Sequence, residues 1–248
     1  MFIGAGTVVN VLAVLVGSGI GLLVGNRLPA RTRVVVTDGL GLVTLVIAAL
    51  SAIAVTDRLL SDAVGPSAPV LIVLGAVVLG GFVGSLLRIE HRLERIGVVL
   101  QARMGGAADD GARARFVEGF MTASLVFCVG PLTILGSITD GLGGGAEQLL
   151  LKSALDGFAA IAFAASLGVG VMASALAVGV IQGGFTVLGA LMGSFVPEPH
   201  VAALTATGGV LLIGVALRLL NIRQVAVGDM LPALVVAPLL VQSVIWLR

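Results

Sequence analysis

The sequence predicts an all-α polytopic membrane protein, a transmembrane helical bundle of about eight spans. Three observations predict it. The 248 residues are 58% hydrophobic and 11% charged, where a soluble domain carries about 25% charged residues. Apolar runs of about 20 residues, enough to cross a hydrocarbon core, recur along the whole chain. Glycines stand four apart inside several of those runs, the spacing that lets membrane helices approach closely. A soluble core of this size cannot hide so much apolar surface, so the expected solvent is lipid.

The runs fall at 2–25, 34–55, 69–87, 117–138, 149–167, 171–196, 201–220 and 230–247. The chain reads as one integral-membrane domain, 1–248. Spans one to three occupy 2–87 and a cytoplasmic amphipathic segment and loop occupy 88–116. Spans four and five are central, in 117–170, and spans six to eight fill 171–248. Only Gly168-Val169-Gly170 separates spans five and six. That is read as a tight turn, because the two runs together are too long for one crossing. Apolar sequence starts at Phe2 with no basic stretch before it, so span one is expected to be retained rather than cleaved as a signal peptide.

Arginines set the orientation. With eight spans, Arg27, Arg31, Arg33, Arg88, Arg92, Arg95, Arg103, Arg113, Arg115, Arg218 and Arg223 all fall on one side. The other side receives Arg58, Lys152 and Arg248 among Asp57, Asp62, Asp140, Glu147 and Glu198. The positive-inside rule then puts both termini outside the cytoplasm, in a multi-pass protein of the bacterial inner membrane. Trp246 fits an outer interfacial anchor.

After span three, Leu86, Ile89, Leu93, Ile96 and Leu100 recur at spacings of three and four, with Arg88, Glu90, Arg92, Glu94 and Arg95 on the other face. This is the pattern of a helix at the cytoplasmic interface, of a partner-binding helix, or of a solvated extension of span three. Residues 105–111 read as a loop.

The chain also matches itself. A shift of 168 sets Gly21 on Gly189, Gly25 on Gly193, Pro29 on Pro197, Thr37 on Thr205 and Gly41 on Gly209. A shift of 38 sets Glu118-Gly119-Phe120 on Asp156-Gly157-Phe158 and Gly130 on Gly168. In an eight-span topology both pairs run in opposite directions. Inverted repeats of this kind meet at a midplane site in transporters.

The chemistry-bearing residues are few. Pro131, after Gly130, lacks an N–H and breaks span four, freeing a backbone carbonyl that hydrocarbon cannot satisfy. Thr122, Ser124, Cys128, Thr133 and Ser137 lie around it. That break either lines a path for a solute or is resealed by the neighbouring hydroxyls. Lys152, the single lysine, and Asp156 are four apart and share a helical face, with Asp140 preceding them. They read as an external gate or ion site, or as a structural ion pair at the membrane surface. Asn10 and Gln182 are the deepest amides, suited to helix–helix hydrogen bonds or to solute contact. Glu118 stands at the inner end of span four. The rows Gly17, Gly21, Gly25; Gly80, Gly84; and Gly189, Gly193 are packing faces that also suit a homodimer.

Several classes are disfavoured. One cysteine and two distant histidines offer no metal site, so no metal or cofactor is expected. A net charge of +1 gives no basic face for nucleic acid. No HExxH, nucleotide loop, mid-membrane carboxylate pair or activated nucleophile supports an enzyme. The leading expectation is a transporter or channel for a small solute or ion, cation-coupled through the carboxylates. The alternative is a non-transporting scaffold or sensor acting through 86–116.

The stretches FCVGPLTILGSITDGL and LLLKSALDGF, with Gln182-Gly183 and the opening GTVVNVLAVLVGSGIGLLVG, resemble a bacterial integral-membrane family, domain of unknown function number 554. The resemblance covers nearly the whole chain. Its motif positions here are Gly130, Pro131, Gly136, Asp140, Lys152, Ser153, Asp156 and Gln182. It implies a membrane protein whose relatives are labelled candidate sodium channels or pumps, with no catalytic role to carry over.

Overall fold

A computed structural model of the chain describes residues 2–25, 29–104, 110–129, 131–192 and 197–247. Arg27, residues 105–109, Gly130, Gly193 and Arg248, all singled out above, lie outside the described residues. The described residues form helices α1 (Ala5–Gly25), α2 (Ala30–Ala52), α3 (Arg58–Val64), α4 (Ala68–Leu87), α5 (Ile89–Met104) and α6 (Asp110–Cys128). They continue as α7 (Pro131–Gly141), α8 (Glu147–Leu167), α9 (Gly170–Met192), α10 (Glu198–Leu219), α11 (Val227–Met230) and α12 (Ala233–Leu247). Among them, 7 helices are long and apolar enough to cross a membrane, and counting the bent pair Gly111–Cys128 and Leu132–Gly141 as one span gives 8. The lipid solvent shows on the outer faces: Phe82, Leu86, Val180 and Leu191 are exposed, a placement that water would penalise.

Local chemistry explains where the helices start and stop. Asp57 accepts from the N–H groups of Leu59 and Leu60 and caps α3. Proline opens α4, α7 and α10, where a missing N–H costs nothing. The break at Pro131 is sharp: the two halves of span four are inclined by 62°. Gly168, at φ 84°, ends α8 in a backbone region that suits glycine and lets α9 begin at Gly170. The tight turn expected there is present.

The chain divides into two compact units, each built from two separate stretches. Unit 1 comprises Met1–Leu40 with Leu93–Ser194, and unit 2 comprises Gly41–Arg92 with Phe195–Arg248. Inside unit 1, Gly17, Gly21 and Gly25 press on the backbone carbonyls of Gly157, Ile161 and Ala165, so a Cβ at any of them would overlap α8. Residue numbers rise together along that contact, so α1 and α8 are parallel. Gly170 meets Phe116 and Gly189 meets Ile138, so α9 runs parallel to α6 and α7. Thr7 meets Thr186 and Val11 meets Gly179, so α1 and α9 are antiparallel. Helix α5 lays Leu93 and Leu100 on the cluster of Phe116, Phe120, Met121 and Ala173.

Inside unit 2, Gly80 meets Ala233 and Gly84 meets Asp229, and Gly209 meets Ala48 and Ala52. One end carries a reciprocal arrangement. Asp229 accepts from the Glu90 N–H at 2.8 Å, and Glu90 accepts from the Gly228 N–H at 2.6 Å and from Arg218 at 2.6 Å. Two helix starts thus exchange carboxylates, each placed where the free N–H groups and the helix dipole favour negative charge.

Candidate functional site

The interior of unit 1 gathers most of the polar residues that the sequence singled out. Helix α8 carries Lys152 and Asp156 one turn apart, and the lysine ammonium contacts the Asp156 carboxylate directly. From α1, the Asn10 amide donates to the same carboxylate oxygen at 2.9 Å. Asn10 is fully buried, and Lys152 and Asp156 are 6% and 8% exposed. With a rise of about 1.5 Å per residue, Asp156 lies about 14 Å into a helix of about 30 Å. Asp156 is thus near the half length of α8, with Lys152 about one and a half turns inside the helix start. An unpaired charge at such depth is costly, and the opposite charge and the amide offset that cost.

Cys128 is buried at the end of α6. Below the pair, the fully buried rings of Phe127 and Phe163 pack edge to face, 6.0 Å between centroids at 73°. Gln182 of α9 is fully buried, and neither its amide nitrogen nor its oxygen has a partner among the described residues. The Asn10 oxygen and the Ser18, Ser124 and Ser137 hydroxyls are likewise unpartnered. Native interiors leave few such groups, and each calls for an explanation.

Other candidates have structural partners. The carbonyl that Pro131 frees is that of Phe127, four residues earlier, and the buried Thr133 hydroxyl donates to it at 3.1 Å. The break is resealed, so this carbonyl is not offered to a solute. Asp140 is buried and accepts from the N–H groups of Gly4 at 3.3 Å and Gly6 at 3.1 Å. It caps α1 from a distant part of the sequence instead of standing free in a path. Ser153 donates to the Leu149 carbonyl. Glu118 is exposed at the middle of α6, and no contact joins it to the cluster among the described residues.

Sequence reasoning missed Thr7 and Thr186, whose hydroxyls bond across α1 and α9 at 3.2 Å. The available signal was their spacing: Thr7 is three residues from Asn10 and Thr186 four from Gln182, one helical turn in each case. The Phe127–Phe163 contact had no such signal, since it joins helices remote in sequence.

Residues 5–242 match the model of the family described as "Protein of unknown function (DUF554)". The chain is 29% identical over 232 residues to "Uncharacterized protein YqgA" of Escherichia coli (strain K12), covering 94% of each chain. It is 26% identical over 236 residues to "Uncharacterized membrane protein YdfK" of Bacillus subtilis (strain 168), covering 95% of each. No solved structure matches it significantly. With the family pattern spanning nearly all of its helices, this multi-pass membrane protein belongs to the DUF554 family.

Proposed function

We propose that this protein moves a small solute or ion across the bacterial inner membrane through the interior of unit 1. The observation that carries the reading is the buried Asn10–Asp156–Lys152 cluster near the half height of α8. Ionisable groups at that depth are expensive, and in membrane proteins they mark substrate or ion pathways. A pair serving only as glue would be replaceable by apolar residues at little cost. Helix directions support an inverted-repeat origin. The 168-residue shift relates α1 to α9 and the 38-residue shift relates α6 to α8, and in unit 1 the related helices run opposite ways. The arginine partition supports both termini outside the cytoplasm.

The test is flux in proteoliposomes of the full chain. Asp156→Asn should abolish or reshape the flux while the protein stays folded in the membrane. Unchanged transport in that variant would remove the cluster from the path. A second reading, a scaffold or sensor, has one observation in its favour. Ile96 and Val99 on α5 remain exposed beside Arg92 and Arg103, a face suited to a membrane surface. A protein with no flux of any probe whose α5 variants alone lose function would favour it.

A further inference from the structure

A cavity of about 340 Å³ opens between α1 and α9 in unit 1, at the end away from the arginines. Its lining includes the exposed side chains of Ile3, Val187 and Leu191 and the buried ones of Thr7 and Thr186, with Gly183 beside them. The bonded Thr7–Thr186 hydroxyl pair is part of that lining. Gln182 is one turn beneath Thr186 on the same face of α9. Thr7 pairs with Thr186 and Val11 with Gly179, so Gln182 stands opposite the stretch of α1 that contains Asn10. The two fully buried amides therefore share one level, about one turn deeper than the threonine pair. Among the described residues, neither polar atom of the Gln182 amide has a partner, and the Asn10 oxygen has none.

We infer that this level is a binding site for a small uncharged hydrogen-bonding solute, entered from the cavity past the Thr7–Thr186 pair. The inference rests on the transport reading above and names its substrate class. The charges at this level already cancel, because Lys152 and Asp156 are paired. No net field is left to draw in an ion and repay the loss of its hydration shell. The unfilled capacity is instead that of a neutral polar molecule: a donor and an acceptor on Gln182 and an acceptor on Asn10. A solute carrying both N–H or O–H groups and an acceptor, such as urea or glycerol, complements that set. A pocket with apolar walls and a few convergent polar groups is the usual form of a small-molecule site.

Gly183 and Gly184 make this testable without disturbing the fold, since a Cβ at either meets nothing within 4 Å. Only Gly183 lines the cavity. Proteoliposomes of the full chain are loaded, shrunk with urea or glycerol and followed by light scattering as they re-swell. Influx of sodium, potassium and chloride is measured in parallel. Re-swelling should outpace that of protein-free vesicles. It should be lost in Gly183→Leu, which plugs the cavity, and in Gln182→Leu, and be kept in Gly184→Leu. Urea or glycerol flux that persists in Gly183→Leu overturns the entry route. Asp156-dependent ion influx without urea or glycerol flux overturns the substrate class and leaves the transport reading standing. Absence of every flux removes both.

Discussion

Each buried polar residue of unit 1 has a consequence that a single substitution reads out. Removing one member of the Lys152–Asp156 pair strands the other charge in a low-dielectric interior. Lys152→Met should destabilise the protein by about 3–5 kcal/mol, whereas Lys152→Met with Asp156→Leu should recover most of that loss. Chemical unfolding in detergent of the two single variants and the double variant checks this; a double-variant loss equal to the sum of the two single losses would show the pair is not coupled. Thr133→Val exposes the Phe127 carbonyl and should cost about 1–3 kcal/mol, with a smaller loss for Thr133→Ser, which keeps the hydroxyl. Asn10, Gln182, Lys152 and Asp156 were legible in the sequence because amides and charges are rare inside apolar runs. Asp140 was visible as an acidic residue, but its role was not. The N–H groups it caps belong to Gly4 and Gly6, more than 130 positions away, and no local pattern encodes such a partner.

At the scale of helices, close approach is written in glycine. All three glycine rows found in the sequence face neighbours inside their own units, at the positions the structure describes. Gly21→Leu would drive a side chain into the Ile161 carbonyl and Ala164. It should destabilise by at least about 1–3 kcal/mol, the range for overpacking, while Gly19→Leu, with only the tip of Met172 nearby, should be tolerated. A comparison of thermal unfolding midpoints decides it. The self-matches also have a limit at this scale. Gly21 meets Ile161, and Gly189 meets Ile138; applying both shifts together would set Gly189 against position 123 instead. The helices that the self-matches pair run in opposite directions in unit 1, but their side-chain contacts do not share one register. The 62° bend lies in α6–α7 while α8 is continuous, so the two arms present different residues to their partners. Spans themselves were legible because a 20-residue apolar run has few alternatives in lipid. The bend angle was not, since a proline sets where a helix breaks and packing sets how far it turns.

For the whole molecule, the arginine partition over eight crossings predicts that both termini lie on the side away from the arginines. Tags at residues 1 and 248 should therefore react with a membrane-impermeant reagent added outside intact cells, and a tag at residue 108 should not. A protected C-terminal tag would contradict eight crossings with outside termini. The two-unit division was not legible. Two of its boundaries, at Leu40/Gly41 and Arg92/Leu93, fall inside helices α2 and α5, and each unit joins stretches that the sequence separates. Hydrophobic periodicity reports a helix and its lipid face but not which other helix it adjoins.

That interleaving bears on synthesis. Helix α1 meets α8 across 146 positions between Asn10 and Asp156. At about 5–20 residues per second, the ribosome needs roughly 7–30 s to supply the second helix after the first. During that interval Asn10 has no carboxylate to donate to, and the glycine face of α1 has nothing to pack on. A nascent chain arrested before residue 147 should therefore leave Asn10→Cys open to a membrane-permeant thiol reagent, and one arrested well beyond residue 192 should protect it.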